Sequence, residues 1–257
     1  MDSPFERVVL KVGGSVITRR GSGKPLPRKE KMRETAGEIS SYDGSLVLVH
    51  GSGSYGHPQA EGTELWTGVD TDDDRMDLAR LQRLQNELNT VYCSFLQDNG
   101  VPAFPVQPSA SGFMEEGSLE NLEETVVQKL LELGMVPVLY GVPAVDVEEE
   151  AAVLSGDEIS AYLSWRLDMD MVLHATDVEG VYDGEPGEGR IIDELDSFDP
   201  SMFASSGRPD ASGGMKGKIR KLFEYGQEGM VFSGEENGLI REVLKGEERG
   251  THVVPEG

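Results

Sequence analysis

Two lysines that lie beside glycine-rich turns are suited to chemistry on phosphate groups. Lys11 lies in the segment LKVGGS (residues 10–15), in which an apolar run ends at paired glycines, and Lys218 follows the segment SGGMKG (212–217). Glycines at the end of a strand or the start of a helix let backbone N–H groups approach an anion, and an ammonium group adds a positive charge. The two segments therefore predict a site for the phosphates of a nucleotide.

A third glycine-rich segment is HGSGSYGH, residues 50–57. Its glycines have the G-x-G-x-x-G spacing of a dinucleotide-binding turn, and an acidic run at 70–74 lies where a ribose-binding carboxylate is sought. Against this alternative, Pro58 follows directly and Gly13 already marks another glycine-rich strand end. Two such loops facing each other suit two phosphate groups better than one pyrophosphate. No G-x-x-x-x-G-K-[ST] spacing occurs, which excludes a P-loop kinase.

Two acidic residues follow apolar segments at similar turns. Asp157 lies in LSGDEI (154–159), and Asp177 lies in TDVEGVY (176–182). For either residue alone, a helix cap or a turn is the more ordinary explanation. The acids gain weight only in combination with the lysines. The turn-rich stretch 180–189 predicts a hairpin or a lid.

Short apolar runs rich in β-branched residues alternate with longer amphipathic segments. Because parallel strands need long crossover connections, this alternation predicts an α/β fold: a three-layer α/β/α sandwich with a mostly parallel central sheet, built as one domain. The predicted strands are Arg7–Val12, Ser45–Val49, Pro102–Val106, Met135–Tyr140, Met171–His174 and Met230–Phe232. The predicted helices lie around 28–41, 75–98, 119–133, 157–167 and 214–227.

The segment 76–96 predicts an amphipathic helix. Its apolar side chains recur at spacings of three and four, which places them on one face. They are Leu81, Leu84, Leu88, Val91 and Phe95. Such a face is more often core or a dimer interface than a ligand pocket.

The chain of 257 residues carries 47 Asp and Glu residues against 23 Lys and Arg residues, a formal net charge of −24. This charge repels polyanions, which argues against nucleic acid or an anionic membrane as a partner. The 37% of hydrophobic residues, gathered in strand-like runs, indicates that the acids coat a folded surface. We expect adaptation to a cytosol rich in salt, where counter-ions screen the self-repulsion.

The expected compartment is the cytoplasm. Cys93 is the only cysteine, which excludes an intramolecular disulfide and fits a reducing environment. The first residues have neither the basic nor the apolar segment of a signal peptide, and no stretch approaches about 18 uninterrupted apolar residues.

Taken together and in this order, the five segments resemble the amino acid kinase family, and the resemblance covers most of the chain. Within the family, KVGGSVIT (11–18) and GSYGHP (53–58) are similar to the signatures of archaeal members that phosphorylate isopentenyl phosphate. His57 is the discriminating residue, because most relatives, which phosphorylate carboxylates, lack it. The resemblance implies ATP and Mg²⁺ as cofactors, isopentenyl diphosphate as the product, an archaeal-type mevalonate pathway and a homodimer.

The resemblance also implies roles for individual residues. Lys11 and Lys218 would contact the transferring phosphoryl group, and Asp157 would orient both lysines. The acceptor would be held by Ser52, His57 and Gly156, in a lobe of about 1–165. The nucleotide would be held by both lysines and by Gly13, Gly14, Ser15, Gly53, Asp177, Tyr182 and Gly213, with its own lobe at about 166–257. No residue is assigned as a metal ligand.

Arg20 departs from the pattern of the archaeal members. They commonly have a lysine after the VIT run, proposed to stabilise the transition state. An arginine keeps the charge but presents a planar fork in place of a point donor. We assign Arg20 to the catalytic set, for which Arg19 or Lys24 could substitute.

Three alternatives stay open at the level of the sequence. The same fold could phosphorylate UMP, fosfomycin or another small phosphate or phosphonate. The glycines at 51–56 could instead belong to a nicotinamide-dependent dehydrogenase. A third alternative is a nucleotide sensor that has lost turnover.

Thermal stability should depend on salt. Because counter-ions screen the repulsion among the acidic side chains, raising the KCl concentration from near zero should raise the melting temperature. Thermal unfolding followed by circular dichroism across a KCl series measures this. A melting temperature that is undiminished in salt-free buffer would contradict the expected adaptation.

Overall fold

The computed structural model describes residues 4–19, 21–56, 69, 71–184, 189–203 and 214–255. In these residues, strands β1 to β12 are Arg7–Val12, Ser45–His50, Ala103–Pro105, Gly112–Glu115, Ser118–Leu122, Val136–Tyr140, Val142–Asp146, Glu150–Leu154, Met171–Thr176, Glu194–Leu195, Gly229–Ser233 and Thr251–Val253. Helices α1 to α8 are Gly14–Ile17, Lys29–Ile39, Asp72–Asp98, Pro108–Ser111, Glu124–Glu132, Gly156–Leu167, Gly214–Glu224 and Leu239–Leu244.

The central sheet has the strand order β10-β12-β11-β9-β1-β2-β6-β3. Its neighbouring strands are parallel except for β11 and β12. The strands in the middle of the sheet are almost wholly buried, as expected where helices cover both faces. All six predicted strands lie on strands of this sheet, so this part of the prediction is confirmed.

Successive residues of β1 point to opposite faces of the sheet. Leu10 lies in a core that contains Leu88 and is built with α2, α3 and α8. Val9 lies in a second core, with Ile159 and Ile219, that is built with α5, α6 and α7. The sheet therefore separates two helical layers, and the predicted α/β/α sandwich is confirmed.

A smaller sheet has the strand order β5-β4-β7-β8. The sequence predicts helix from residue 119 onwards, and the first part of this prediction is wrong, because Ser118–Leu122 forms strand β5. A turn at Gly117, with φ of 74°, reverses the chain after β4. The helix begins only after Glu123, whose side chain accepts a hydrogen bond of 2.9 Å from the N–H of Thr125.

Helix α3 buries a face shifted from the predicted one. Leu81 and Leu88 are buried as expected, but Gln85 and Asn89 are buried with them, whereas Leu84, Val91 and Phe95 pack at the edge of the core. Asn89 has a partner there, because its Oδ1 contacts Nε2 of His50 at 3.2 Å, whereas Oε1 of Gln85 has no hydrogen-bond partner among the described residues. Neither α3, with 27 residues, nor any other described helix is long and apolar enough to cross a membrane.

The stretch predicted as a hairpin or lid forms a hairpin in its described part. Tyr182 and Ile191 form an antiparallel bridge, and the N–H of Asp183 donates to the carbonyl of Arg190 at 3.0 Å. Residues 185–188 lie outside the described residues.

The loops after β1 and β2 pack against each other through glycines. A Cβ atom added at Gly14 would lie 2.2 Å from the backbone N of Gly53, and one added at Gly51 would lie 2.6 Å from the N of Gly14. Gly53 also has a positive φ of 49°, which side chains other than hydrogen disfavour. Backbone therefore touches backbone where the two strands end.

The Gly14→Ala substitution should open this contact. Because the added methyl group meets backbone rather than a flexible side chain, we expect the free energy of unfolding to fall by about 1–3 kcal/mol. Gly37→Ala is the matched control, since a Cβ there meets only the side chain of Asn99 at 3.5 Å and Gly37 lies within α2. Urea unfolding of both variants measures the difference, and equal stability of the two would contradict the expected clash.

Candidate active site

The strands β2, β1, β9 and β11 end side by side at one edge of the central sheet. Their registers pair Val12 with His50 and with Ala175, and Ala175 with Phe232. The N–H of Gly13 donates to the carbonyl of Ala175 at 2.8 Å, which fixes the loop after β1 against β9. The glycine-rich loops after β1 and β2 therefore lie at the carboxyl ends of the parallel strands, where open α/β sheets bind ligands.

One carboxylate oxygen joins the two predicted lysines. Lys11 Nζ donates to Asp157 Oδ1 at 2.6 Å, and Lys218 Nζ donates to the same atom at 2.5 Å. All three side chains are buried. Lys11 comes from β1, Asp157 from the first turn of α6, and Lys218 from α7, so a strand and two helices meet at this atom.

The start of α6 is built to bring Asp157 to Lys11. Ser155 is the N-cap residue, and its hydroxyl accepts the N–H of Glu158 at 3.1 Å. Gly156 follows without a side chain, and a Cβ atom there would lie 3.4 Å from Cε of Lys11. The lysine thus passes close to the helix backbone on its way to Asp157.

The cluster carries a net positive charge, because two ammonium groups face one carboxylate. Burial lowers the pKa of Lys11 to about 8, and the positive charge of Lys218 also lowers it. The attraction of Asp157 raises this pKa but does not outweigh them. Burial opposes ionisation of Asp157, but the attraction of Lys11 and Lys218 holds the pKa of its carboxyl well below the usual range. Such a buried, partly neutralised pair of ammonium groups is suited to bind and stabilise phosphate oxygens.

A second buried ion pair lies beside the first and was not predicted. Lys221 Nζ donates to Glu158 Oε1 at 2.8 Å, and the same oxygen accepts the N–H of Leu119 at 3.1 Å. Lys221 follows Lys218 by three residues on α7, and Glu158 follows Asp157 on α6. The two pairs hold α7 against α6, and Glu158 also ties them to strand β5 of the small sheet.

Two buried histidines near the site were also not predicted. His50 ends β2, and its ring nitrogens contact the carbonyl of Gly51 at 3.1 Å and Asn89 Oδ1 at 3.2 Å. Its ring stacks on Tyr140 with centroids 5.4 Å apart. Burial lowers the pKa of His50 to about 4, so the ring is neutral near pH 7.

His174 lies on β9 at the register position of Lys11 on β1. It is fully buried, and its Nδ1 lies 3.5 Å from Asp157 Oδ1. Neither ring nitrogen has a hydrogen-bond partner in the described part of the chain. A histidine in an apolar strand looks like a core residue in the sequence, and only the register of two strands separated along the chain reveals its neighbours.

The other predicted residues lie at the same edge of the sheet or outside the described residues. Gly13, Gly14 and Ser15 follow β1, and Ser52 and Gly53 follow β2, whereas Asp177 and Tyr182 follow β9. Tyr182 Oη donates to Glu179 Oε2 at 3.1 Å. Arg20, His57 and Gly213 lie outside the described residues. The roles of all these residues in a reaction stay predictions.

Comparison with known proteins identifies the class. Residues 6–232 match the sequence model of the Amino acid kinase family, and the chain belongs to that family. This membership removes the basis of the dinucleotide-binding alternative. Within this glycine-rich segment, Gly53–Tyr55 forms a 3-10 turn.

Two relatives and one group of solved structures that resemble the chain share one name. The chain is 35% identical to the isopentenyl phosphate kinase of Methanothermobacter thermautotrophicus, over 96% of this chain and 98% of that protein. It is 30% identical to the isopentenyl phosphate kinase of Haloferax volcanii, over 96% of this chain and 98% of that protein. X-ray structures of isopentenyl phosphate kinase superimpose with a TM-score of 0.85 at 33% identity, covering 96% of this chain and 99% of that chain.

Activity should fall as the pH rises through the pKa of Lys11. The side chain is charged below its pKa of about 8, so kcat/KM for the nucleotide should decrease above that pH. In the Lys11→Arg variant the guanidinium stays charged, so this decrease should be absent from the remaining activity. Steady-state rates from pH 6 to 10 measure both profiles. Wild-type rates that stay level up to about pH 9, as the ordinary lysine value of 10.5 would allow, would contradict the lowered pKa.

Proposed function

We propose that this protein transfers the γ-phosphoryl group of ATP to isopentenyl phosphate, which gives isopentenyl diphosphate and ADP. The observation that carries the proposal is the pair of buried ammonium groups on Asp157, at the end of the sheet where glycine-rich loops follow β1 and β2. Two relatives named isopentenyl phosphate kinase match nearly the whole chain, and they support the choice of acceptor.

The described residues would act by position and charge. Phosphoryl transfer spreads negative charge over the oxygens of the moving group, so fixed cations and backbone amides supply most of the stabilisation. Lys11 and Lys218 would contact these oxygens, and Asp157 would hold the two ammonium groups at a fixed separation. The acceptor oxygen of a phosphate monoester is already ionised near neutral pH, so the reaction needs no general base from the protein.

Nucleotide binding would use the glycine-rich loops after β1 and β2. Gly13, Gly14 and Gly53 would hold the nucleotide phosphates here, because backbone N–H groups in glycine-rich loops suit phosphate oxygens. The N–H of Gly13 itself donates to Ala175, so Gly13 would shape the loop and not bind a phosphate through that group. Ser15, Asp177, Tyr182 and Gly213 would complete the nucleotide side, in the lobe of about 166–257. Ser52, His57 and Gly156 would hold the acceptor phosphate in the lobe of about 1–165, and Arg20 would add a positive charge.

Mg²⁺ would be held mainly by the phosphates. No group of three or more His, Cys, Asp and Glu side chains that could hold a metal ion occurs in the described residues. Mg²⁺ in kinases keeps several waters and binds through substrate phosphates with few protein carboxylates, so it does not require such a group of side chains. When bound, the ion would neutralise charge on the phosphates of ATP.

The cellular setting forms part of the same proposal. The net charge of −24 supports a cytoplasm rich in salt, where counter-ions screen the acidic side chains. The product would enter isoprenoid synthesis through an archaeal-type mevalonate pathway. A homodimer is proposed from the family resemblance.

A coupled assay of ADP release in high KCl tests the acceptor. The protein should turn over Mg-ATP with isopentenyl phosphate and not with UMP, acetylglutamate or no acceptor. Selective turnover with UMP or acetylglutamate would keep the kinase and reject the proposed acceptor. Absence of turnover with every acceptor would favour a nucleotide sensor.

The His57→Ala variant shows whether this histidine belongs to the acceptor side. We expect a higher KM for isopentenyl phosphate and a lower kcat, together equivalent to roughly 2–4 kcal/mol of lost transition-state binding. Affinity for ATP, measured by calorimetry, should stay nearly unchanged. An unaltered kcat/KM for the acceptor would remove His57 from the site.

A further inference from the structure

His174 is the buried polar group of the site whose hydrogen bonds are missing. Its side chain is fully buried, and neither Nδ1 nor Nε2 has a hydrogen-bond partner in the described part of the chain. Buried polar atoms are nearly always paired, since an unpaired one costs about 1–3 kcal/mol. His50, equally buried, has contacts for both ring nitrogens. The two buried histidines of the site therefore differ in their environments.

Two ammonium groups bind one oxygen of Asp157, and the ring of His174 lies near the same oxygen. Lys11 Nζ and Lys218 Nζ lie 2.6 Å and 2.5 Å from Asp157 Oδ1, and His174 Nδ1 lies 3.5 Å from the same atom. The two ammonium groups occupy the oxygen, and the imidazole stands just beyond hydrogen-bonding distance. A displacement of about 0.5 Å would bring Nδ1–H to Asp157, in the usual range for such a bond.

A bound phosphate changes the balance among these donors. Phosphate oxygens compete with Asp157 for the ammonium groups, so a lysine that turns to the phosphate leaves Oδ1 with one partner fewer. A buried carboxylate that loses a partner is costly and free to rotate. A neutral donor at hand would restore the lost hydrogen bond without adding a positive charge that competes with the lysines.

We propose that His174 is a positioning residue for Asp157, whose Nδ1–H donates to Oδ1 when a phosphate group draws a lysine away. Asp157 then keeps its orientation toward the remaining lysine while the phosphoryl group moves. The groups whose charge acts on the imidazole are Lys218, Asp157 and Lys11. Burial and the two lysines outweigh Asp157 and hold the pKa of His174 well below its usual value, so the donor is a neutral imidazole. The inference rests on the proposed function for the identity of the phosphate.

The proposal requires one particular tautomer of the ring. A proton on Nδ1 faces the carboxylate and attracts it, whereas a proton on Nε2 would aim the Nδ1 lone pair at the carboxylate. Nitrogen-15 NMR of the imidazole rings distinguishes the two forms in the whole protein, with the His174→Asn variant to assign the signal. We expect the neutral Nδ1–H form with and without ADP. The Nε2–H form would overturn the proposal, and this measurement needs no acceptor.

Substitutions separate positioning from packing. Leucine at His174 removes the donor, and asparagine places an amide N–H near the position of Nδ1. We expect kcat of His174→Leu to fall about ten- to a hundredfold, the size of a hydrogen bond to a charged group, with KM for ATP and acceptor changed less than about threefold. His174→Asn should recover most of kcat.

Stability supplies the control. Replacing an unpaired buried ring by an apolar side chain should not lower the melting temperature, whereas His50→Leu, which removes a paired ring, should lower it. A wild-type kcat in His174→Leu, or equal losses in the leucine and asparagine variants, would overturn the proposal. If isopentenyl phosphate is not the acceptor, the variants are compared with whichever acceptor is turned over. A wrong acceptor and a wrong role for His174 therefore give different results.

Discussion

The sharing of one carboxylate oxygen between two buried ammonium groups is the interaction on which this structure depends. Burial opposes the charge of Asp157, and the attraction of Lys11 and Lys218 keeps its carboxyl ionised with a pKa below the usual range. Asp157 in turn raises the pKa of Lys11 against the effect of burial. The cluster keeps one positive charge in excess. A substrate with several phosphate oxygens completes it, so binding and charge balance coincide.

The rest of the fold brings these groups together across the chain. Lys11 precedes Asp157 by 146 positions, and Lys218 follows it by 61. The alternation of β1 sends Lys11 to the face that carries α6 and α7, while Leu10 and Val12 anchor the strand in the opposite core. The second ion pair, between Glu158 and Lys221, fixes the same two helices.

Much of the architecture, and the choice of Lys11, Asp157 and Lys218 as candidate site residues, could be predicted from the sequence. Glycine-rich strand ends and nearby lysines have a direct chemical meaning, so Lys11 and Lys218 stood out. Strand β5 could not be predicted, because the three-residue spacing of Leu119 and Leu122 also fits a helix. In the structure the β4–β5 pairing passes from Leu119 to Asn121, so Glu120 is an extra residue that lets both leucines be buried. His174 and Glu158 gain meaning only from partners distant in sequence.

The two lysines stand on different kinds of support. Lys11 is carried by a strand hydrogen-bonded to neighbours on both sides, in the middle of the sheet, whereas Lys218 is carried by a helix that touches the sheet through side chains. The position of the Lys11 ammonium group is thus fixed by the sheet, whereas that of Lys218 can shift when the side chains around α7 repack. Selection for new acceptors, in nature or in the laboratory, therefore has more freedom in the residues around α7 than in β1, where any change of geometry reaches the whole sheet.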